Sequence, residues 1–383
     1  MLGLLPGGVR VKKIIHVISD SNIGGAGKYL LNYLENCNRK IFDIKVVVPV
    51  NSLLKEEISL LGFEILEIDG LAEQSYSKIA VENLKRIFKE EKPDLVHAHA
   101  CLSARVAAKK CGAKIVYTRH TDAAAGKNLQ NPIGKLVNKV INNYLADGII
   151  AVSNSAYKNL VSTGVSKKKI EVIYNGVQPA EILNEEEKRR VFESFGIEYG
   201  TKVISIVARL EEYKGHEYFI DAAKIVRERG YDAKFVIAGT GSRKQFLEEY
   251  SKKSNTDNVI FLDFVKNISE LNNITYIQVN ASLYEAFGLA VVEAMRVGVP
   301  AVVSSYGGNL EVVDNGKTGF IINGQDPKEF AEKIITLIEN KSLYEEFSKN
   351  SIKKFNECFT ASVMTKNTEK FYSKILGGVI DEN

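Results

Sequence analysis

Residues 13–19 read KIIHVIS, residues 24–28 read GGAGK, and a helical pattern runs from Tyr29 to Leu34. A β-branched run, a glycine turn and an amphipathic stretch in this order are typical of a strand, a tight turn and a helix. Parallel strands need such helical connections. This stretch therefore predicts an α/β protein, provided that the alternation continues along the chain.

The alternation continues to the end of the chain in two series of strands, with helical patterns between most of them. The predicted strands are residues 13–19, 43–48, 64–68, 95–98, 114–118, 148–152 and 171–174, and then 203–208, 233–238, 259–262, 277–280, 301–304 and 319–322. Three helical segments, at 327–340, 343–356 and 360–376, close the chain. Two such series predict two parallel sheets with helices on both faces.

The length of 383 residues also favours two domains, since a domain typically has about 150 residues. Pro179 lies between the two series, which puts the linker at residues 175–184. We expect a Rossmann-like domain over residues 1–177, a second over 178–359, and a C-terminal helix, 360–383, that packs back on the first domain. The domains are expected to face each other across a cleft, with ligands at the carboxyl ends of the strands.

The composition is that of a globular protein, with 45% apolar, 26% charged and 9% aromatic residues. The 51 Lys and Arg and 47 Asp and Glu leave a formal net charge of +4, which excludes a strongly basic nucleic-acid coat. The four cysteines are too far apart for a CxxC metal pair and fit a reducing cytoplasm. Charge interrupts every apolar run before about 18 residues, so no membrane span is predicted.

Two glycine turns follow predicted strands. Gly24 and Gly25 can let the backbone approach an anion at a helix start. Their loop is not a Walker A motif, because Tyr29 replaces the Ser or Thr, and Leu30 excludes the dinucleotide fingerprint. Gly24, Gly25 and, in the second turn, Gly239 are therefore either turn residues or ligand contacts.

Two cations follow the first strand of the second series. Arg209 stands at the strand's carboxyl end, and Lys214 comes five residues later, before a glycine and a helix. Such a pair can converge on one diphosphate. The alternative is an ordinary surface pair neutralised by Glu211 and Glu212.

Residues 282–294 read SLYEAFGLAVVEA and place two carboxylates beside a helix that is predicted to start near Phe287 or Gly288. Glu285 precedes the helix and Glu293 lies about two turns inside it. Carboxylates at two heights can bind two groups of hydroxyls while the helix N-terminus takes a phosphate, which suits a nucleotide sugar. Glu285 could instead only stabilise the helix start, whereas Glu293 on an apolar helix face implies a partner.

Over nearly its whole length the chain resembles the retaining glycosyltransferases of family 4, which have the GT-B fold. The resemblance rests on Arg209 with Lys214, on Glu285 and Glu293 around Glu-Ala-Phe-Gly, and on the joint order of weaker motifs. These motifs are Gly24-Gly25, His97-Ala98-His99, Thr118-Arg119-His120, Val152-Ser153, VIYNGV at 172–177, GGNLE at 307–311 and NGKTGF at 315–320.

The resemblance implies a role for each motif. Arg209 and Lys214 would bind the donor diphosphate, Glu293 the ribose, and Glu285 the transferred sugar, with His120 orienting that sugar. The remaining donor-binding residues would be Phe287, Gly288, Leu289, Gly24, Gly25 and Gly239. No metal, cofactor or enzymic nucleophile is expected. Arg119 and the lack of a Glu after Gly24-Gly25 depart from the commonest pattern and leave the acceptor in doubt.

The hypothesis is a cytoplasmic, metal-independent, retaining glycosyltransferase that moves a sugar from a nucleoside-diphosphate sugar to a hydroxyl acceptor. The acceptor is expected to be a lipid-linked or cell-surface polysaccharide precursor. A nucleotide-sugar epimerase of the same architecture and a non-catalytic nucleotide-sugar sensor are the alternatives.

The other histidines carry less weight. His97 and His99 alternate along a strand and face the same side, but the sequence offers no further zinc ligand at a recognisable spacing. Packing or a place in the cleft is the simpler interpretation. His216, at a helix start, is interpreted as a capping or surface residue.

One stretch bears on location. Residues 126–146 combine lysines with an apolar stripe at helical spacing, which favours either a membrane-surface helix or a helix that faces the core. Residues 1–177 hold 25 Lys and Arg against 16 Asp and Glu, and the remainder holds 26 against 31. The basic first domain is therefore predicted to face an anionic membrane, on its inner side, or a phosphorylated lipid acceptor.

Overall fold

The computed structural model describes residues 10–121 and 132–378. The chain folds into two units. Unit 1 takes in the residues up to Gln178 together with those from Ala361 onward, and unit 2 runs from Pro179 to Thr360.

Unit 1 contains a sheet of seven parallel strands. They are β1 (Lys12–Ile18), β2 (Phe42–Pro49), β3 (Glu64–Ile68), β4 (Leu95–His99), β5 (Lys114–Arg119), β6 (Gly148–Ala151) and β7 (Ile170–Val172). The sheet order is β3-β2-β1-β4-β5-β6-β7. Its helices are α1 (Gly25–Asn36), α2 (Leu54–Leu60), α3 (Lys78–Glu91), α4 (Leu102–Cys111), α5 (Pro132–Tyr144), α6 (Asn154–Ser162) and, at the chain's end, α15 (Ala361–Leu376).

The apolar strands of unit 1 are buried on both faces of the sheet. Successive side chains alternate between the faces, so Ile14 packs in one layer with Leu30, and Ile15 packs in the other with Leu84. Helices cover both layers, as the near-continuous apolar strands require.

The last helix, α15, completes unit 1. Ala361 donates its N–H to the Val177 carbonyl at 2.9 Å, and Phe371 and Tyr372 are buried. Gly148 at the start of β6 leaves room for them, because a Cβ atom there would lie 2.5 Å from the Phe371 ring. The C-terminal helix thus belongs to the core of the first unit.

Unit 2 contains a sheet of six parallel strands in the order β10-β9-β8-β11-β12-β13. They are β8 (Lys202–Val207), β9 (Ala233–Ala238), β10 (Val259–Leu262), β11 (Thr275–Asn280), β12 (Ala301–Ser304) and β13 (Gly319–Ile322). The helices are α7 (Glu185–Ser194), α8 (His216–Glu228), α9 (Lys244–Lys253), α10 (Ile268–Ile274), α11 (Leu289–Met295), α12 (Asn309–Val312), α13 (Pro327–Glu339) and α14 (Lys341–Lys354).

Every predicted strand overlaps an observed one. The helix after Glu285 begins at Leu289, one or two residues later than predicted, because Gly288 has φ of 97° and so lies outside the helical region. In the part of the chain that the structure describes, no helix is both long enough and apolar enough to cross a membrane.

Candidate functional site

Among the described residues, the Glu285 carboxylate has four hydrogen-bond partners in unit 2, one of which is the Ser282 hydroxyl, which donates to Oε2 at 3.4 Å. Oε2 also accepts hydrogen bonds from Lys214 Nζ at 2.9 Å and Asn280 Nδ2 at 3.3 Å, and Oε1 accepts the Gly288 N–H at 3.1 Å. Burial raises the pKa of Glu285, but the Lys214 charge and these hydrogen bonds outweigh it, so the pKa lies below its ordinary value. Glu285 is therefore an anion able to accept ligand hydroxyls as well as to cap the turn before α11.

Two further glycines fix the backbone of this site. A Cβ atom at Gly307 would lie 1.9 Å from the Glu285 carbonyl oxygen, and one at Gly308 would lie 2.3 Å from the Phe287 Cα. Gly308 also donates its N–H to the Glu285 carbonyl at 2.8 Å. The loop after β12 thus packs flat against the loop that carries Glu285, and only glycine allows that approach.

Close backbone packing also places the loop that carries Lys214 beside the Glu285 loop. β8 and β11 are neighbours in the sheet, so the loops that follow them meet at its carboxyl edge. Leu283 donates its N–H to the Tyr213 carbonyl at 2.8 Å, and a Cβ at Gly215 would lie 2.3 Å from the Ala281 carbonyl oxygen. The local backbone, and not only the ion pair, holds Lys214 beside Glu285.

Arg209 lies in the same loop and is exposed. Its guanidinium donates to the Tyr213 hydroxyl at 2.7 Å, and Lys214 Nζ lies 5.2 Å from the Tyr213 ring centroid. Tyr213 therefore contacts both predicted diphosphate ligands. The surface-pair interpretation, with Lys214 neutralised by Glu211 or Glu212, is wrong, because the ion-pair partner of Lys214 is Glu285.

Glu293 is buried in α11, with 6% of its surface exposed. Arg296, one turn further along the same helix, lies close enough for the charge of Glu293 to act on it. Burial lowers the pKa of Arg296, and the charge of Glu293 partly offsets that effect. Binding of a ribose by Glu293 stays a prediction.

The other predicted donor ligands of unit 2 have clear structural roles. The Phe287 ring is buried edge-on against Phe359, with centroids 5.6 Å apart. Leu289 opens α11. A Cβ at Gly239, which has φ of 146°, would lie 2.0 Å from the Ala208 carbonyl oxygen, so packing alone requires a glycine there. Ligand contacts by these residues stay predictions.

His216 is not the surface or capping residue that the sequence suggested. It is wholly buried at the start of α8, and within the described parts of the chain neither ring nitrogen has a hydrogen-bond partner. Burial, helped by the nearby positive charges of Lys214 and Arg243, lowers its pKa to about 4. It is therefore neutral beside the cationic loop.

In unit 1, the predicted residues lie at the carboxyl edge of the sheet. Gly24 and Gly25 follow β1 and are exposed at the start of α1, and a Cβ at Gly24 would meet nothing within 4 Å. Packing therefore does not require a glycine at Gly24, unlike Gly239. His120 follows β5, two strands away in the same sheet.

His120 ends a chain of buried imidazoles. A 3.0 Å hydrogen bond joins its Nε2 to His99 Nδ1, and another joins His99 Nε2 to His16 Nδ1. The other nitrogen of His120, Nδ1, is buried, and none of the described residues hydrogen-bonds it. Burial lowers the pKa of His120 to about 3, so its side chain is neutral and suited to hydrogen bonding rather than to proton transfer at neutral pH.

The structure adds a third histidine to the pair that the sequence singled out. His16, His97 and His99 could together offer nitrogens within 4.8 Å of one another to a metal ion. These nitrogens are already hydrogen-bonded, however: His97 contacts the Tyr372 hydroxyl at 2.5 Å and the Thr118 hydroxyl at 2.6 Å. The group fits a packed polar network better than a metal site.

Two family profiles match the chain. One, described as Glycosyl transferases group 1, matches residues 187–354, and the other, described as Glycosyltransferase Family 4, matches residues 23–181. The chain belongs to the group 1 glycosyltransferases. The two matches fall one on each unit, and each contains predicted site residues of this glycosyltransferase.

The alignments with known relatives cover most of the glycosyltransferase. An uncharacterized glycosyltransferase of Methanocaldococcus jannaschii is 29% identical over 369 residues, which cover 91% of this chain and 94% of that protein. A UDP-Gal:α-D-GlcNAc-diphosphoundecaprenol α-1,3-galactosyltransferase of Escherichia coli is 27% identical over 346 residues, or 86% of this chain and 89% of that protein. The solved structure of Anabaena HepE in complex with UDP has a TM-score of 0.82 at 20% identity and covers 94% of this chain and 100% of that one. That likeness shows the GT-B fold.

Sequence reasoning missed two residues that support the predicted site of this glycosyltransferase. Asn280 contacts Glu285, and its signal was a polar residue at the carboxyl end of a predicted strand. His16 contacts His99, and its signal was a lone polar residue within the apolar run KIIHVIS. Both signals are present in the sequence but become specific only when the sheet order is known.

Proposed function

We propose that this glycosyltransferase transfers a sugar, with retention of configuration, from a nucleoside-diphosphate sugar to a hydroxyl of a lipid-linked or cell-surface polysaccharide precursor. The observation that carries the proposal is the Lys214–Glu285 pair at the carboxyl edge of unit 2, where a cation for a diphosphate and an anion for sugar hydroxyls lie 2.9 Å apart.

The proposed chemistry follows from that pair. Breaking a glycosyl–phosphate bond builds negative charge on the leaving diphosphate, and Lys214, Arg209 and the N–H groups that open α11 can stabilise it without a metal ion. Glu285 would hold the transferred sugar and Glu293 the ribose. A diphosphate oxygen would accept the proton of the incoming hydroxyl, so the protein need supply no nucleophile.

Residues of unit 1 are proposed to meet the reacting sugar and the acceptor. The exposed glycines 24 and 25 allow a close approach. Nδ1 of His120, which no described residue hydrogen-bonds, suits a hydrogen bond with a sugar hydroxyl. The E. coli relative is named for a diphosphoundecaprenol-linked acceptor, which supports a lipid-linked acceptor here. A cytoplasmic enzyme at the inner membrane face would meet such an acceptor.

The donor can be identified by a thermal-shift screen of nucleoside diphosphates and their sugars. A ligand at 100 times its dissociation constant should stabilise the protein by about 2.7 kcal/mol. Transfer to acceptors is then followed by release of the nucleoside diphosphate, and NMR of the product's anomeric proton reports retention or inversion. An inverted product would contradict the retaining mechanism.

The site is tested by Lys214→Ala, Glu293→Ala and Glu285→Gln. We expect each to lower transfer by about 100-fold or more, since each removes a charged contact to the donor. Arg227→Ala serves as the control, because it removes a partly exposed cation of the same unit whose ion-pair partner is Asp257 rather than Glu285. Near-normal transfer by folded Lys214→Ala and Glu293→Ala proteins would contradict the site assignment.

The same assays separate the alternatives. An epimerase would convert the donor without an acceptor, and a sensor would bind the donor but release no nucleoside diphosphate with any acceptor. Membership of a glycosyltransferase family favours transfer over both.

A further inference from the structure

Helix α5 exposes its apolar face and buries its small and polar residues. Its large apolar side chains are exposed, whereas its buried residues are Gly134 and Asn142. The exposed side chains, with their exposed fractions, are Ile133 (76%), Leu136 (59%), Val137 (45%), Val140 (56%) and Tyr144 (63%). Their spacing of three and four residues puts them on one face. For residues 132–144 the interpretation as a core-facing helix is therefore wrong, while residues 126–131 of the same stretch lie outside the described residues.

The inner face of α5 is held by polar contacts. Arg105 of α4 donates to the Leu145 carbonyl and to Asn142 Oδ1, each at 3.0 Å. Lys169 donates to the carbonyls of Asn143 at 2.5 Å and Ala146 at 2.7 Å. These contacts fix the rotation of the helix, so the apolar face does not serve the fold of unit 1.

The surroundings of α5 are strongly basic. Residues 101–170 contain twelve Lys and Arg but only two Asp and Glu. Lys135 and Lys139 lie on the helix itself and are exposed, and Lys109 Nζ lies 4.6 Å from the Tyr144 ring centroid. Lys167 and Lys168 are exposed in the turn before β7. Asp147, one of the two acids, is engaged by the Ile115 N–H.

We infer that the exposed face of α5 docks on the surface of an anionic lipid bilayer. The apolar side chains would enter the interface between headgroups and acyl chains, and the surrounding lysines would meet the anionic headgroups. The apolar stripe matches the acyl-chain layer of such a surface, and the flanking lysines match its layer of anionic headgroups. The inference rests on the proposed function and deepens it, because a lipid-linked acceptor would lie in such a bilayer.

The topology explains what this docking would achieve. α5 lies between β5 and β6 in sequence, and because these strands are parallel neighbours, the connection that contains α5 leaves β5 at the carboxyl edge of the sheet. His120 and Gly24 lie at that edge. A bilayer against α5 would thus lie beside the part of unit 1 that is proposed to receive the acceptor.

The test is flotation of the full-length protein with vesicles. The probes are phosphatidylcholine vesicles with and without phosphatidylglycerol. We expect binding to the anionic vesicles, weakening as salt is raised. The double variant Leu136→Glu/Val140→Glu should bind them about tenfold more weakly or worse, because a charge on the apolar face opposes insertion. Both positions are exposed, so the fold should be unaffected.

The control is Leu60→Glu, which changes an even more exposed leucine (77%) on α2 of the same unit and should bind as the unaltered protein does. Equal binding by the double variant, or no binding to anionic vesicles by the unaltered protein, would overturn the inference. A dimer that the double variant abolishes, without vesicle binding, would overturn it in favour of self-association.

A measurement of donor binding distinguishes failure of the docking inference from failure of the proposed function. The double variant should retain the thermal shift with the nucleoside-diphosphate sugar and transfer to a detergent-solubilised acceptor. Loss of vesicle binding with donor binding intact supports the docking face alone. Absence of donor binding in the unaltered protein would contradict the proposed function and leave the vesicle result independent.

Discussion

Burial lowers the pKa of every histidine in the chain. The pKa falls to about 3 for His16 and His120, to about 4 for His216, and well below the ordinary value for His97 and His99. All five are neutral in the folded protein near pH 6, whereas the unfolded chain would protonate them with ordinary pKa values near 6.5. Four of the five belong to unit 1.

This difference predicts acid sensitivity confined largely to unit 1. Between pH 6.5 and the lowered folded-state values the unfolded chain binds more protons, so the free energy of unfolding falls as pH falls. Each histidine contributes a slope of up to about 1.4 kcal/mol per pH unit. Calorimetry from pH 7.5 to 5 should therefore show the unit 1 transition moving down further than the unit 2 transition.

The variant His216→Leu shows which calorimetric transition belongs to which unit. It should remove the histidine contribution to the pH dependence of unit 2 and leave that of unit 1 unchanged. Because no described residue hydrogen-bonds either ring nitrogen of His216, this substitution should cost little at pH 7.5. Equal acid shifts of both transitions in the unaltered protein would contradict the prediction.

At the scale of elements, the Glu285 loop depends on the loop after β12. Gly307 has φ of 56° and Gly316 has φ of 73°, but a Cβ at Gly316 would meet nothing within 4 Å. Gly316→Ala should lower the free energy of unfolding by only about 1 kcal/mol, the cost of holding alanine in the left-handed backbone conformation. Gly307→Ala should cost several kcal/mol more, because its Cβ would displace the Glu285 carbonyl.

The comparison is made on the unit 2 transition in urea, together with the thermal shift produced by the donor. Gly307→Ala should lower donor affinity as well as stability, since the displaced backbone carries Glu285. Gly316→Ala should leave donor affinity unchanged. Similar stability losses in the two variants would show that the close approach at Gly307 contributes nothing.

The contrast between α11 and α5 shows what the sequence could predict. Every strand and the position of α11 follow from local patterns, because apolar runs and glycine turns act within a few residues. The outward rotation of α5 does not, because Arg105 and Lys169, distant in sequence, hold its polar face. Likewise, spacing placed Arg209 and Lys214 together, but only the packing of Gly215 on Ala281 brings Lys214 to Glu285.

At the scale of the whole molecule, the chain leaves unit 1 at Gln178 and returns to it at Ala361. The helical pattern of residues 360–376 predicts a helix there, but the pattern does not indicate its contacts with unit 1. Tyr372 is wholly buried, and its hydroxyl contacts His97 at 2.5 Å. The first unit is thus incomplete without a helix made after the second.

This arrangement predicts that Tyr372→Ala lowers the thermal transition of unit 1 alone. Removing a buried aromatic side chain costs about 3–5 kcal/mol. Tyr372→Phe should cost less, about 1–3 kcal/mol, because it keeps the ring and removes only the hydroxyl that contacts Nδ1 of His97 and, at 3.4 Å, Nε2 of His16. Phe347→Ala on α14, equally buried but within unit 2, is the matched control and should move the other transition. If Tyr372→Ala instead moved both transitions equally, the two units would unfold as one, and α15 would stabilise the whole protein rather than the first unit.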